Sequence, residues 1–295
     1  MAKNEQFSSR WGIILASLGM AVGAGNIWRF PRLAGQYGGT FLILWMVFLF
    51  VWSIPILMAE FAIGKKIKKS VIGSFAGVAG KRYTWMGFFI ALCTLGITFY
   101  YSVITAWALQ YLGFALENLF NNLAGNPTVA DRLGSGLLQN HWQQVSSDNP
   151  LTLVLHFVAL VGAAVLLYKG VQNGLEKANR VLIPSLFLML LLMAGMTIST
   201  EGGLKGLEYL FTIRTELFAE PGVWIEALTQ SAWSTGAGWG LIMTISSYSR
   251  KKEDVTLNTF ISGFGNNTAS LVAAMAVLPA VFMLAGSSHE AINFL

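Results

Sequence analysis

Residues 19–31 read Gly-Met-Ala-Val-Gly-Ala-Gly-Asn-Ile-Trp-Arg-Phe-Pro, inside an otherwise apolar segment long enough to cross a bilayer. Gly19, Gly23, Gly25, Asn26 and Arg29 fall where a membrane helix favours Leu, Ile and Val. In hydrocarbon each unpaired backbone group costs several kcal/mol, so a helix breaks only where it lines a site. Glycine permits the break, because it accepts dihedrals other residues resist and lets a ligand approach the main chain. Asn26 adds a side-chain oxygen suited to a hard cation, and Arg29 adds a charge near one mouth. Gly19 and Gly23 alone also fit a helix-packing motif. Packing does not call for Gly25, Asn26 and Arg29 as well. A second interruption, Ser-Thr-Gly-Ala-Gly-Trp-Gly at 234–240, lies in another apolar segment. Paired glycine breaks in corresponding spans point to the midplane binding site of a secondary transporter.

Composition agrees with a polytopic membrane protein: 55% hydrophobic residues, 11% charged, mean hydropathy +0.59. Seven apolar spans are expected, at about 11–36, 40–63, 84–120, 151–168, 178–198, 222–248 and 257–285. The first is expected to break near Gly23 and the sixth near Gly236. Between the spans lie a basic loop at 65–82, a polar loop at 121–150 with Asp131 and Asp148, and a Glu-rich loop at 199–221. The polar first ten residues and the length of the first apolar segment do not fit a cleavable signal peptide. Cys93, the single cysteine, sits in an apolar run and reads as a buried structural thiol.

The net charge of +5 is a topology signal rather than a nucleic-acid footprint. With the N-terminus inside, 14 of the 19 Lys and Arg fall on the cytoplasmic side. That orientation disfavours a seven-span G-protein-coupled receptor, whose N-terminus would lie outside.

The stretch Gly23-Ala24-Gly25-Asn26-Ile27-Trp28-Arg29-Phe30-Pro31 closely resembles the signature of the neurotransmitter:sodium symporters. Support comes from Pro55 with Glu60, Tyr100-Tyr101, the spacing of Gly174 to Pro184, and Gly222-Val223-Trp224-Ile225. The resemblance runs from about residue 7 to the end. It implies an all-α, leucine-transporter-type inverted-repeat fold in a single transmembrane domain over 1–295. The first five-helix repeat would span 11–198, and the first two helices of the second repeat 222–285. Family members usually have twelve spans, so the chain reads as a partial sequence or a truncated protein.

The same resemblance assigns a first sodium site to Ala21, Asn26, Ser234 and Asn266, completed by a substrate carboxylate. Half of a second sodium site would come from Gly19 and Val22. Substrate would be held by Met20, Ala21, Gly23, Gly25, Ile97, Tyr101, Ile104, Trp233, Ser234, Gly236 and Trp239, with the Tyr101 phenol on the carboxylate. Monoamine carriers of the family place an aspartate where this chain has Gly23, so the substrate should bring its own carboxylate. Trp233 and Trp239 narrow the pocket while Gly236 widens it, leaving substrate size open. Arg29, Gln230 and Tyr248 resemble gate residues, the carboxylate partner of Arg29 being expected in the missing part. Ser270 stands where chloride-independent relatives carry a carboxylate. Gln230, Ser234, Asn266 and Ser270 are therefore candidate chloride ligands, although Trp45 replaces a tyrosine of the chloride-dependent carriers.

The expectation is a carrier, not an enzyme, that imports a neutral, hydrophobic amino acid with sodium across a bacterial plasma (inner) membrane, by alternating access. Its partners would be sodium, the amino acid and lipid, with no nucleic acid. A truncated non-transporting sensor or partner-binding protein, or a carrier of an osmolyte, are the alternatives.

Overall fold

The computed structural model describes residues 5–125, 137–147 and 149–285. These form two compact units, one from residues 1–91 with 169–295 and one from residues 92–168.

In the first unit α1 (Arg10–Ala21) starts at Ser9, whose hydroxyl accepts from the Gly12 N–H at 3.0 Å. It stops because Val22 turns extended, at φ −82° and ψ 109°. A π-helical turn, Gly25–Arg29, leads into α2 (Phe30–Phe48), and a second one, Leu49–Ser53, leads into α3 (Ile54–Ile67). Both turns have a proline cause. Pro31 and Pro55 lack an N–H and crowd the carbonyl four residues back, at Ile27 and Val51 inside the two turns. α2 bends at Gly38 (φ 60°), where the first span gives way to the second. A β-carbon there would meet the Thr212 carbonyl oxygen at 2.8 Å.

The basic loop carries α4 (Val71–Val78). α5 (Thr84–Leu123) begins in the first unit and continues into the second. There α6 (Leu137–Ser146) lies within the segment read as a loop, and α7 (Pro150–Tyr168) forms the fourth span. Back in the first unit, a π-turn at Val171–Glu176 precedes α8 (Lys177–Ile198). The segment 199–221 is also less irregular than expected: α9 (Gly203–Phe211) and a short 3₁₀ turn occupy it. The sixth span is two helices, α10 (Pro221–Thr235) and α11 (Leu241–Ser247), and the seventh is α12 (Val255–Ala285). Asp131, Asp148 and residues 286–295 lie outside the described residues.

Five helical stretches among the described residues are long and apolar enough to cross a membrane. The first of them joins the C-terminal half of the first span to the second, and the broken sixth span falls below the length. Two larger hydrophobic cores lie in the first unit among the described residues. One gathers Phe30, Phe41 and Trp45 of α2, Leu210 of α9, Ala227 of α10 and Leu278 of α12. The other gathers Phe7, Ile13, Leu57, Phe61 and Ile242.

Cys93 corrects its sequence reading: it is exposed on α5, beside exposed Leu92 and Leu95. An apolar run in a spanning helix does not imply a packed interior, because lipid accepts apolar side chains on every face.

Candidate functional site

The two breaks face each other. A β-carbon on Gly236 would lie 2.9 Å from the Met20 sulfur, and one on Gly25 would lie 3.1 Å from Cδ1 of Trp233. The Gln230 amide donates to the Gly25 carbonyl at 3.1 Å, tying α10 to the first π-turn. The first break is held by Asn26, whose Oδ1 accepts from the Gly23 N–H at 2.9 Å. Gly236, Gly238 and Gly240 make the second break, with φ of 70°, 91° and 69°, a region that disfavours residues with a β-carbon.

Between the breaks lies a buried polar cluster. Asn26 Nδ2 donates to Asn266 Oδ1 at 2.8 Å and to Ser270 Oγ at 2.7 Å, and Asn266 Nδ2 donates to Ser234 Oγ at 3.1 Å. All four residues are at most 2% exposed. The outer atom of the Asn266 amide also lies 3.0 Å from the Ser234 carbonyl oxygen and 3.3 Å from that of Ala21. Written as oxygen, it faces two other acceptors. Turning the amide would give those carbonyls a donor; a cation between the oxygens would satisfy all three without turning it. Neutral oxygens on three helices are the ligand set a hard monovalent cation takes.

The structure thus brings together Ala21, Asn26, Ser234 and Asn266, with Ser270 in the same network, while Gln230 bonds instead to the Gly25 carbonyl and Arg29. Asn26 differs in one respect from the expectation. It turns its nitrogen to Asn266, while its oxygen caps Gly23. Trp233 and Trp239 meet edge to face at 4.9 Å. Gly19 and Val22 flank the end of α1, and the Asn179 side chain occupies the space a β-carbon on Gly19 would need. Ile97, Tyr101 and Ile104 belong to the second unit, where their spacing puts them on one face of α5. Their assignment to the substrate rests on the resemblance alone.

Three carboxylates hold this arrangement, and sequence reasoning assigned none of them to it. Glu60, 5% exposed, accepts from the N–H groups of Gly238 at 2.8 Å, Gly240 at 3.2 Å and Met243 at 3.3 Å. It therefore satisfies the orphan donors at the start of α11 and offsets its dipole. Glu226 on α10 takes Arg29 at 2.6 Å, while Gln230 accepts from the same guanidinium at 3.1 Å. Arg29 thus has a carboxylate partner within this chain. Glu176 accepts from the Ser8 N–H at 2.8 Å, the Ser8 hydroxyl at 2.5 Å and Arg180 at 2.9 Å. For Glu60 and Glu226 the available signal was a carboxylate in an apolar segment, which costs too much to be incidental; Glu176, in a polar stretch, carried none.

The polar tail is docked rather than loose. Phe7 is buried and donates its N–H to the Tyr248 carbonyl at 3.1 Å, and the Gln172 amide donates to the Gln6 carbonyl at 2.5 Å. Tyr248 therefore meets the tail through its main chain.

Comparison with known proteins gives a consistent result. A family model described as the sodium:neurotransmitter symporter family matches residues 4–149 and 134–294. An uncharacterised sodium-dependent transporter of Methanocaldococcus jannaschii is 33% identical over 285 residues, covering 93% of this chain and 55% of the relative. The human inactive sodium-dependent neutral amino acid transporter B(0)AT3 is 29% identical, with 94% of this chain and 47% of that protein covered. The crystal structure of MhsT in complex with L-phenylalanine superposes with a TM-score of 0.79 at 27% identity, over 98% of this chain and 65% of that one. The chain therefore spans about half to two-thirds of the length of these relatives. With the signature around Gly23–Pro31, the two facing breaks and a match over nearly every residue, the chain belongs to the sodium:neurotransmitter symporter family.

Proposed function

We propose that this chain forms the sodium- and substrate-binding part of a carrier that imports a neutral, hydrophobic amino acid by alternating access, from a bacterial plasma membrane with its N-terminus cytoplasmic. The observation that carries this reading is the convergence of the Ala21 and Ser234 carbonyls on the Asn266 amide, between two broken helices. Sodium would take those oxygens and add the substrate carboxylate as a further ligand, so that neither binds well without the other. Main-chain N–H groups at the breaks would take the remaining carboxylate oxygen.

The substrate class follows from what lines the breaks. Gly23 presents no acid to pair with an isolated amine, so the carboxylate has to come from the ligand. Met20, Trp233 and Trp239 offer apolar and aromatic surface. The relatives' descriptions, an inactive sodium-dependent neutral amino acid transporter and a complex with L-phenylalanine, support the same substrate class. Arg29, with Glu226 and Gln230, would close the outer side, and the docked tail with Glu176 the inner side. For chloride, Ser270 in place of a carboxylate leaves a neutral network at the ion site, which favours a supplied anion.

The test is thermal stability of the detergent-purified protein across an amino-acid panel in sodium or in potassium. Stabilisation by an apolar amino acid in sodium alone supports the reading and names the substrate. The same response in potassium, or none in either salt, refutes it.

A further inference from the structure

Polar side chains recur every fourth residue along α12: Asn258, Ser262, Asn266 and Ser270, each at most 2% exposed. Asn266 and Ser270 belong to the cluster just described. The other two do not. Asn258 Oδ1 and Ser262 Oγ are buried without a hydrogen-bond partner. Buried polar atoms in folded proteins almost always have a partner, either protein or ordered water, and in a membrane span they are rarely incidental.

Their direction is set by neighbouring contacts. Gly265 lies against the Leu18 side chain, and Ile261 packs with Ile14 and Leu18 of α1 and Ile183 of α8. Asn266 faces Asn26. At 3.6 residues per turn, Asn258 and Ser262 fall inside the arc bounded by Ile261 and Asn266, so both look toward the first span. Ser262 lies about 6 Å along the axis from Asn266, and Asn258 about 6 Å further. The Leu18 contact with Gly265 and the 3.3 Å bond from Arg250 to the Ser8 carbonyl run α1 and α12 in the same direction. Two turns before Leu18, Arg10 comes to the Asn258 end of α12, and its Nε and one terminal nitrogen are also buried without a partner.

Unpaired oxygens thus continue from the candidate cation cluster, and a guanidinium with two unpartnered nitrogens stands toward their far end. We propose that Asn258 and Ser262 form a hydrated cation-binding step, through which a sodium ion leaves the Asn266 cluster toward the N-terminal end of α12, and that Arg10 closes that end as a fixed positive charge. This rests on the sodium reading above but adds a site and a direction to it. Neutral oxygens at these intervals let an ion exchange ligands one pair at a time, with water completing its shell. Arg10 repels a cation for as long as α1 stays packed on α12. The break at Val22 allows α1 to leave without the outer half of the span.

The experiment uses silver, a thiol-reactive cation close to sodium in size, in chloride-free nitrate. Asn258→Cys, Ser262→Cys and a buried apolar comparison on the same helix, Ala274→Cys, are made in a Cys93→Ser background. Inside-out vesicles are treated with silver, and the surviving thiol is measured by maleimide labelling after denaturation. Positions 258 and 262 are expected to react at least about 10-fold faster than 274, as a cation-focusing passage requires. Sodium should slow them relative to potassium, and Arg10→Gln should speed them.

Equal rates at all three positions would overturn the proposal. In the unsubstituted protein, X-ray radiolytic labelling should modify Ile261 beside the hydrated step, and its absence would count equally against water there, whatever the cysteine variants do. The sodium-dependent thermal shift of the parent is measured alongside. A normal shift with inert cysteines removes the step and leaves the carrier reading. No shift, with reactive cysteines that sodium does not protect, removes the sodium reading itself.

Discussion

The carboxylate of Glu60 gives the sharpest test of how the second break is held. Oε1 takes Gly238 and Gly240, and Oε2 takes Met243. In Glu60→Gln one side keeps an acceptor, while the other becomes an NH2 group pointed at an N–H donor. A hydrogen bond to a charged group contributes about 1.5–3 kcal/mol, and a buried donor left unpaired costs about 1–3 kcal/mol. The carboxylate's interaction with the dipole of α11 adds about 0.3–1 kcal/mol. The 2.8 Å bond to Gly238 is short enough to persist, so the expected loss is about 2–4 kcal/mol rather than the sum. The loss falls on the broken segment, because α11 has only seven residues and little stability of its own. If ligand binding needs the formed break, sodium-dependent affinity for the amino acid should fall by about 30-fold or more, at 1.4 kcal/mol per factor of ten. Equilibrium binding in detergent, with the melting temperature measured in potassium alone, separates loss of the site from loss of the fold. A Glu60→Gln variant that binds within threefold of the parent would refute the role given to these three bonds.

Three further outcomes follow from the same geometry. Gly236→Ala forces a β-carbon to 2.9 Å from the Met20 sulfur at a φ of 70° and should cost about 1–2 kcal/mol, seen as weaker substrate binding with Met20→Ala partly restoring it. Glu226→Gln should change the melting temperature little, since the pair with Arg29 is about one-third exposed and worth under about 1 kcal/mol. It should instead hasten loss of bound substrate to the outside, read by dissociation of labelled ligand. Replacing chloride with gluconate should weaken sodium-dependent binding in the parent but not in Ser270→Glu, which carries its own negative charge; an indifferent parent would remove chloride from the proposal.

Much of the membrane architecture was legible because its causes are local. Gly236, Gly238 and Gly240 announce a break by their freedom of φ. The ligand cluster was partly legible as well. Asn26, Ser234 and Asn266 could be picked out through resemblance, while their convergence needed three helices in place. Helices α6 and α9 escaped the reading because polar composition is shared by loops and by short surface helices. Cys93 was misread because apolarity marks lipid-facing and interior faces alike.

The sequence by itself determined the membrane class, the two breaks and the family, each written in short-range composition or in contiguous motifs. Tertiary structure decided what holds the breaks. Glu60 reaches residues 178 to 183 positions away, Arg29 finds Glu226 across 197, and Ser8 finds Glu176 across 168. No local pattern specifies such pairs. A carboxylate in an apolar segment has to find donors, and only the packed helices choose which ones.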